Sequence, residues 1–223
     1  MINYYLSVDL GQANDYTAIS ILEKNDNRGF IRHLERLPLG TPYPDQVTRI
    51  KGLYQELLKF RTTPVIVVDF TGVGRAVSDL LTKERLPHIK LTITGGNDIS
   101  IKGDEWHVPK QELISALLVS FQTGQLRISE HLPLADTLIK ELINFKMKLN
   151  TKTKNISFEG RDGVNDDLVL SLSQACLIAG MGKPAYSQIS RPTPGNNRGI
   201  PTKHKPGVGF FEPRNKRRGI IGL

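Results

Sequence analysis

Apolar residues along this chain recur with different periods in different stretches. The segment YYLSVDLG ends an apolar run at an acid, and TAISILEK and GFIRHLERL follow with strand-like composition. Turn formers Asn25, Asp26, Asn27 and Gly29 separate the latter two. Three antiparallel strands are predicted. From residue 44 to 60 the period changes: Val47, Ile50, Leu53, Tyr54, Leu57 and Leu58 fall at helical spacing behind Pro44 and Asp45. PVIVVDF is then a short continuous apolar run, the pattern of a strand covered on both faces. GRAVSDLLTKE after it is amphipathic, so the pair predicts a parallel strand-helix step.

HIKLTIT predicts a further strand, and GGNDISIKGDEW a loop with short pairing. VPKQELISALLVSFQTG is predicted helical, with Pro109 near its first turn and Gly124 past its end. LPLADTLIKELINFKMKL is predicted as another helix. TKNISFEG closes a hairpin with the basic stretch before it, and NDDLVLSLSQACLIAG forms a last helix capped by Asn165. The sum is an α/β fold: a mixed sheet, an antiparallel three-strand meander and then parallel strands, flanked by helices. No internal repeat is evident.

With 223 residues, 39% of them hydrophobic, the chain can bury one substantial core. No apolar run of about 18 residues occurs, and the opening residues lack a signal-peptide pattern, so a soluble cytosolic protein without a membrane partner is expected. The single cysteine, Cys176, forms no internal disulfide and is expected to be a buried apolar residue. The net charge of +8 is a local property. Residues 183–223 carry nine Lys and Arg against Glu212 alone, which is the whole excess, and six prolines besides. The expectation is a compact domain over 1–182 and a disordered basic Pro/Gly-rich tail over 183–223.

Candidate chemistry rests on acids. Asp9 ends the first strand, Asp69 ends the buried strand, and Asp166 and Asp167 open the last helix. A carboxylate at a strand's carboxyl end lies beside the crevice where open α/β sheets bind ligands. If the two strands are neighbours, Asp9 and Asp69 stand side by side. Clustered carboxylates repel unless a cation neutralises them, and an all-oxygen donor set suits Mg²⁺ or Mn²⁺. A pair of such ions about 3.5–4 Å apart is a device for phosphodiester cleavage. Taken singly, each acid has a plainer role as well: Asp9 as a turn acid, Asp166 and Asp167 as first-turn acids meeting the helix dipole. An acid ending an apolar strand, as Asp69 does, is costly if left unpaired.

In order, VDLGQANDYTAISIL, VIVVDFTGVGRAVSDLL, WHVPKQELISALLVSFQTGQLRI and GRDGVNDDLVLSLSQA resemble the nuclease segments of large terminase subunits from tailed bacteriophages, over most of residues 4–180. The first two motifs are common to the RNase H-like superfamily. The VPK helix followed by GQLRI, and the NDDLV helix, are more particular to terminases. The resemblance implies an RNase H-like fold and an endonuclease that cuts concatemeric viral DNA during packaging in the host cytoplasm. It implies that Asp9 and Asp69 bind metal, that Asp167 completes the site with Asp166 assisting, and that two Mg²⁺ or Mn²⁺ ions act there. Many relatives have His where this chain has Asn165. Lys110 matches the VPK lysine and is a candidate DNA contact, with a solvated first-turn residue as the alternative; His107 reads as a structural polar residue. The tail residues Arg214, Lys216, Arg217 and Arg218 are further DNA-contact candidates. Implied partners are double-stranded DNA, the portal protein, the small terminase subunit and a packaging ATPase. The phosphate-loop pattern G-x-x-x-x-G-K-[ST] occurs nowhere in the chain, so an isolated, monomeric nuclease domain is expected.

Three other readings share these residues. VDLGxxxxxTA and VDFTGVG also resemble the phosphate loops of actin-like phosphotransferases. A Holliday-junction resolvase or transposase would use the same metals. A DNA-binding module with structural acids would bind in a salt-sensitive way without cutting.

Overall fold

The computed structural model describes residues 2–11, 15–149, 156–159, 165–180 and 220–221. The tail candidates Arg214, Lys216, Arg217 and Arg218 lie outside these residues. Strands β1 (Ile2–Asp9), β2 (Ala18–Asn25) and β3 (Arg28–Arg36) form the expected antiparallel meander. Helix α1 (Tyr43–Leu58) then leads to β4 (Val65–Asp69), which pairs parallel to β1. Helix α2 (Gly74–Lys83) returns the chain to β5 (His88–Thr94), parallel to β4. The segment read as a loop with short pairing contains β6 (Ser100–Lys102) and β7 (Glu105–Pro109), antiparallel to each other, with β7 parallel to β5.

Helix α3 (Lys110–Gln122) follows β7 directly, with Pro109 at its cap and Gly124 at φ 66° beyond its end. Strand β8 (Leu126–Ser129) returns to the far side of the sheet beside β3. Helix α4 (Ala135–Asn144) is shorter than the sequence suggests. Lys146 to Leu149 form strand β9, paired with β10 (Ile156–Glu159). The alternation in KMKL has the two-residue period of a strand, and pairing with ISFE outweighed the helical run before it. Helix α5 (Asp167–Gly180) is the last helix. Its first backbone bond runs from the Leu170 N–H to the Asp166 carbonyl, so Asp166 and not Asn165 stands at its cap. Ile220–Ile221 add a two-residue strand, β11, to β8. The nine-stranded order is β11-β8-β3-β2-β1-β4-β5-β7-β6.

The period of two in the central strands divides the core between two layers. Leu6, Val8, Ile66 and Val68 face α1 and α2, packing on Ile50, Leu53, Leu57, Val77 and Leu81. Tyr5, Val65 and Val67 face the other way, toward α3, α4 and α5. Continuing that alternation puts Asp9 and Asp69 on the α5 side. Helix α5 is buried along nearly its whole length, which accounts for its apolar sequence; Cys176 is buried there, and burial pushes its thiol pKa up to about 12. Among the described residues no helix is long and apolar enough to cross a membrane.

Candidate active site

The first element of the site is a strand register. In the β1–β4 pair Val8 stands opposite Val68, so Asp9 and Asp69, one residue further on, are neighbours at the carboxyl edge. Both are buried, with 8% and 9% of their surface exposed. The turn after β4 folds back on Asp69: the Thr71 N–H donates to its Oδ1 at 2.8 Å. Gly74 packs so closely that a Cβ there would lie 2.1 Å from the Asp69 carbonyl oxygen, which explains the glycine in DFTGVG.

Helix α5 supplies the third acid. Asp167 is its first residue and is 7% exposed. Three serines fix the helix on the meander. Ser7 Oγ donates to the Ser171 carbonyl at 2.6 Å, and Ser171 Oγ donates to the Ser7 carbonyl at 3.0 Å. Ser20 Oγ joins both hydroxyls at 2.8 and 3.0 Å. All three are fully buried. Ser7 lies two residues before Asp9 and Ser171 one helical turn after Asp167, so these bonds hold the two acid-bearing segments in register.

Electrostatics mark the cluster as short of positive charge. Burial, followed by the charges of Asp69, Asp167 and Asp166, holds the Asp9 carboxyl well above the usual range. Burial raises Asp69 too, opposed by the Thr71 hydrogen bond. Burial raises Asp167 to about 6, with Arg36 opposing and Asp166 and Asp15 adding to the rise. Asp167 Oδ2 is buried with no hydrogen-bond partner among the described residues. The described residues contain no group of three or more His, Cys, Asp or Glu side chains already arranged around one ion. Asp9 and Asp69 are themselves in side-chain hydrogen-bond contact, which raises the Asp9 carboxyl further.

Asp166 is on the rim and pairs with Lys110 Nζ at 3.1 Å; the ammonium also lies 5.5 Å from the centre of the Phe145 ring. The terminase-like VPK segment therefore reaches the acid cluster. His107 is exposed on β7 and Asn165 is exposed ahead of α5. Sequence reasoning missed two residues. Arg36, at the end of β3, contacts Asp167 Oδ2 at 3.3 Å and bonds to Glu141 Oε1. Glu141, on α4, is 4% exposed and accepts the Val169 N–H at 3.1 Å through Oε2. A signal was present. Glu141 sits three residues after Leu138 on the buried stripe of α4, where an apolar residue is the default.

A mixed sheet with the order β3-β2-β1-β4-β5, acids at the ends of β1 and β4 and a third on the helix packed across them defines an RNase H-like α/β protein. Within that class the chain is similar to large terminase nucleases. It shares 26% identity with the large terminase nuclease of thermophilic phage G20c determined with bound magnesium, covering 78% of this chain and 80% of that one at a TM-score of 0.59. The nuclease domain of the Thermus phage P74-26 large terminase is 24% identical over 78% of each chain, with a TM-score of 0.56. A large terminase of another thermophilic bacteriophage shares the fold at 11% identity and a TM-score of 0.56; the match covers 77% of this chain and 38% of that one. No protein-family model and no curated protein sequence matches the chain.

Proposed function

We propose that this chain is a divalent-metal-dependent endonuclease that cuts double-stranded phage DNA during genome packaging, with Asp9, Asp69 and Asp167 as metal ligands and Asp166 assisting. The observation that carries this reading is the in-register placement of Asp9 and Asp69 on adjacent parallel strands, with Asp167 brought over them by α5. The donor set fits Mg²⁺ or Mn²⁺: the oxygens are carboxylate, the four acids face only Arg36 and Lys110 as ion-pair partners among the described residues, and Asp167 Oδ2 is buried there without a hydrogen-bond donor. Asp9, Asp69 and Asp167 would hold such ions, which when bound would supply an activated water and positive charge at the leaving oxygen.

The protein's own groups do the positioning. The Thr71 N–H donates to Asp69 Oδ1 at 2.8 Å and so fixes the orientation of that carboxylate. The serine cluster fixes the separation of Asp9 and Asp167. Lys110, at the rim beside Asp166, is the DNA-facing cation that would meet a phosphate. A packaging nuclease would work in the host cytoplasm, with the portal protein, the small terminase subunit and the packaging ATPase as partners; the basic tail is a further candidate DNA contact.

Nicking of supercoiled plasmid with Mn²⁺, Mg²⁺ or EDTA, by the wild-type chain and by Asp69→Asn, tests the proposal. Cutting that needs metal and disappears in the variant is expected. Cutting that survives Asp69→Asn, or none with either metal, overturns it. Salt-sensitive DNA binding without cutting would instead favour a binding module, and preference for four-way junctions a resolvase.

A further inference from the structure

We propose that Glu141 is a positioning residue for Asp167, holding the Arg36 guanidinium away from full pairing with it; the inference rests on the metal-site reading above. Arg36 is a permanent cation at the edge of an acid cluster that must accept metal ions. Left to itself it would be the natural counter-ion of Asp167, and a guanidinium seated on a ligand carboxylate competes with a metal for it.

The geometry shows how that competition is limited. Arg36 Nη2 hydrogen-bonds Glu141 Oε1 but only approaches Asp167 Oδ2, at 3.3 Å and without a hydrogen bond. The Tyr16 ring, 4.9 Å from the guanidinium carbon, packs against the group. Glu141 is anchored in turn: its second oxygen accepts the Val169 N–H, two residues after Asp167. One carboxylate thus binds the first turn of the helix that carries Asp167 and the cation that would neutralise it. Burying an acid inside the apolar stripe of α4 is costly, and a plain helix contact would be met more cheaply by leucine.

Glu141→Gln keeps an acceptor for the Val169 N–H but loses the charge that holds Arg36. Arg36 then moves onto Asp167, and metal affinity falls by about tenfold, the usual scale for losing a partner of a metal ligand. The double variant Glu141→Gln/Arg36→Gln removes the released cation and returns affinity to within about threefold of wild type. A role in packing alone shows in the melts and not in the affinity: the folded variants then bind Mn²⁺ as the wild type does.

The measurement is Mn²⁺ titration by calorimetry on the full chain, for the wild type, E141Q, R36Q and the double variant, with circular dichroism melts as the folding control. A tenfold weaker E141Q restored in the double variant supports the proposal. E141Q binding as tightly as wild type, or a double variant weaker than E141Q, overturns it while leaving the nuclease reading intact. Should E141Q melt too low to assay, Glu141→Asp decides: the shortened carboxylate loosens its hold on Arg36 and weakens Mn²⁺ binding severalfold if the proposal is right, and E141D binding as tightly as wild type overturns it. A wild-type chain that binds no Mn²⁺ overturns both, and that outcome shows in the wild type rather than in the variants.

Discussion

Replacing Asp167 by Asn should stabilise the metal-free protein while abolishing its metal response. The carboxyl is raised from 3.8 to about 6 by burial, even with Arg36 beside it. A shift of about two units corresponds to about 3 kcal/mol of penalty on the charged form at neutral pH. Local relaxation and water reduce this to about 2 kcal/mol. Asparagine keeps the shape without the charge, so at pH 7.5 in EDTA the variant should melt about 4–8 °C above wild type. Metal reverses the order. Mn²⁺ at a hundred times its dissociation constant adds about 2.7 kcal/mol to a protein that binds it only when folded, and the variant has lost a ligand. Paired melts in EDTA and Mn²⁺ should therefore cross, and plasmid nicking should vanish with the substitution. A variant that melts below wild type by the same margin in both buffers would refute the reasoning. It would show that Asp167 serves the fold as the partner of Arg36.

The same charges set a pH dependence. Glu141 at about 7 and Asp167 at about 6 are both raised, so the folded state keeps protons that the unfolded chain has released. Their contribution is present below about pH 4 and is lost as pH climbs through 6 to 7, so melting temperature in EDTA should fall from pH 5 to 7.5. Glu35 and Glu84, whose pKa values are lowered, lose their contribution only below that window. Buried His88, lowered by desolvation, opposes the trend within it, one group against the raised carboxyls of Asp9, Asp69, Glu141 and Asp167. Mg²⁺ should flatten the slope, and a rise in metal-free stability over this range would contradict the account. Gly74→Ala drives a Cβ into the Asp69 carbonyl and should cost about 2–3 kcal/mol in chemical denaturation, with loss of cutting. Gly72→Ala, at φ 61° in open space, should cost only about 1 kcal/mol. Lys110→Ala should weaken DNA binding on any sequence and lower the salt slope by about one, as a phosphate contact requires; an unchanged slope assigns Lys110 to Asp166 alone.

Much of this architecture is legible in the one-dimensional pattern. The period of two in YYLSVDL and TAISILEK, the unbroken VIVV and the helical spacing after Pro44 each reflect what an element must bury, and each element formed. Asp69 stands out because an acid ending an apolar strand is costly if left unpaired, and Asp9 and Asp167 stand out only in company with it, each having a plainer role when taken singly. Element ends were less legible: KMKL follows a helix without a proline or glycine break, and only its pairing with ISFE makes it a strand. The cap of α5 falls on Asp166 rather than Asn165 for a similar reason, since either residue type can cap and the packing of α5 on β1 and β2 chose between them.

Local sequence determined most of the strands and helices, KMKL excepted, and that three carboxylates sit at element ends. Tertiary structure alone decided that β1 lies beside β4, in a register that sets Asp9 next to Asp69. It also brought Arg36 to Glu141, 105 residues away, and both to the first turn of α5. Hydrophobic periodicity reports only what a residue's own segment needs. The pairing of buried charges depends on which segments the fold makes neighbours, and that is a property of the packed chain.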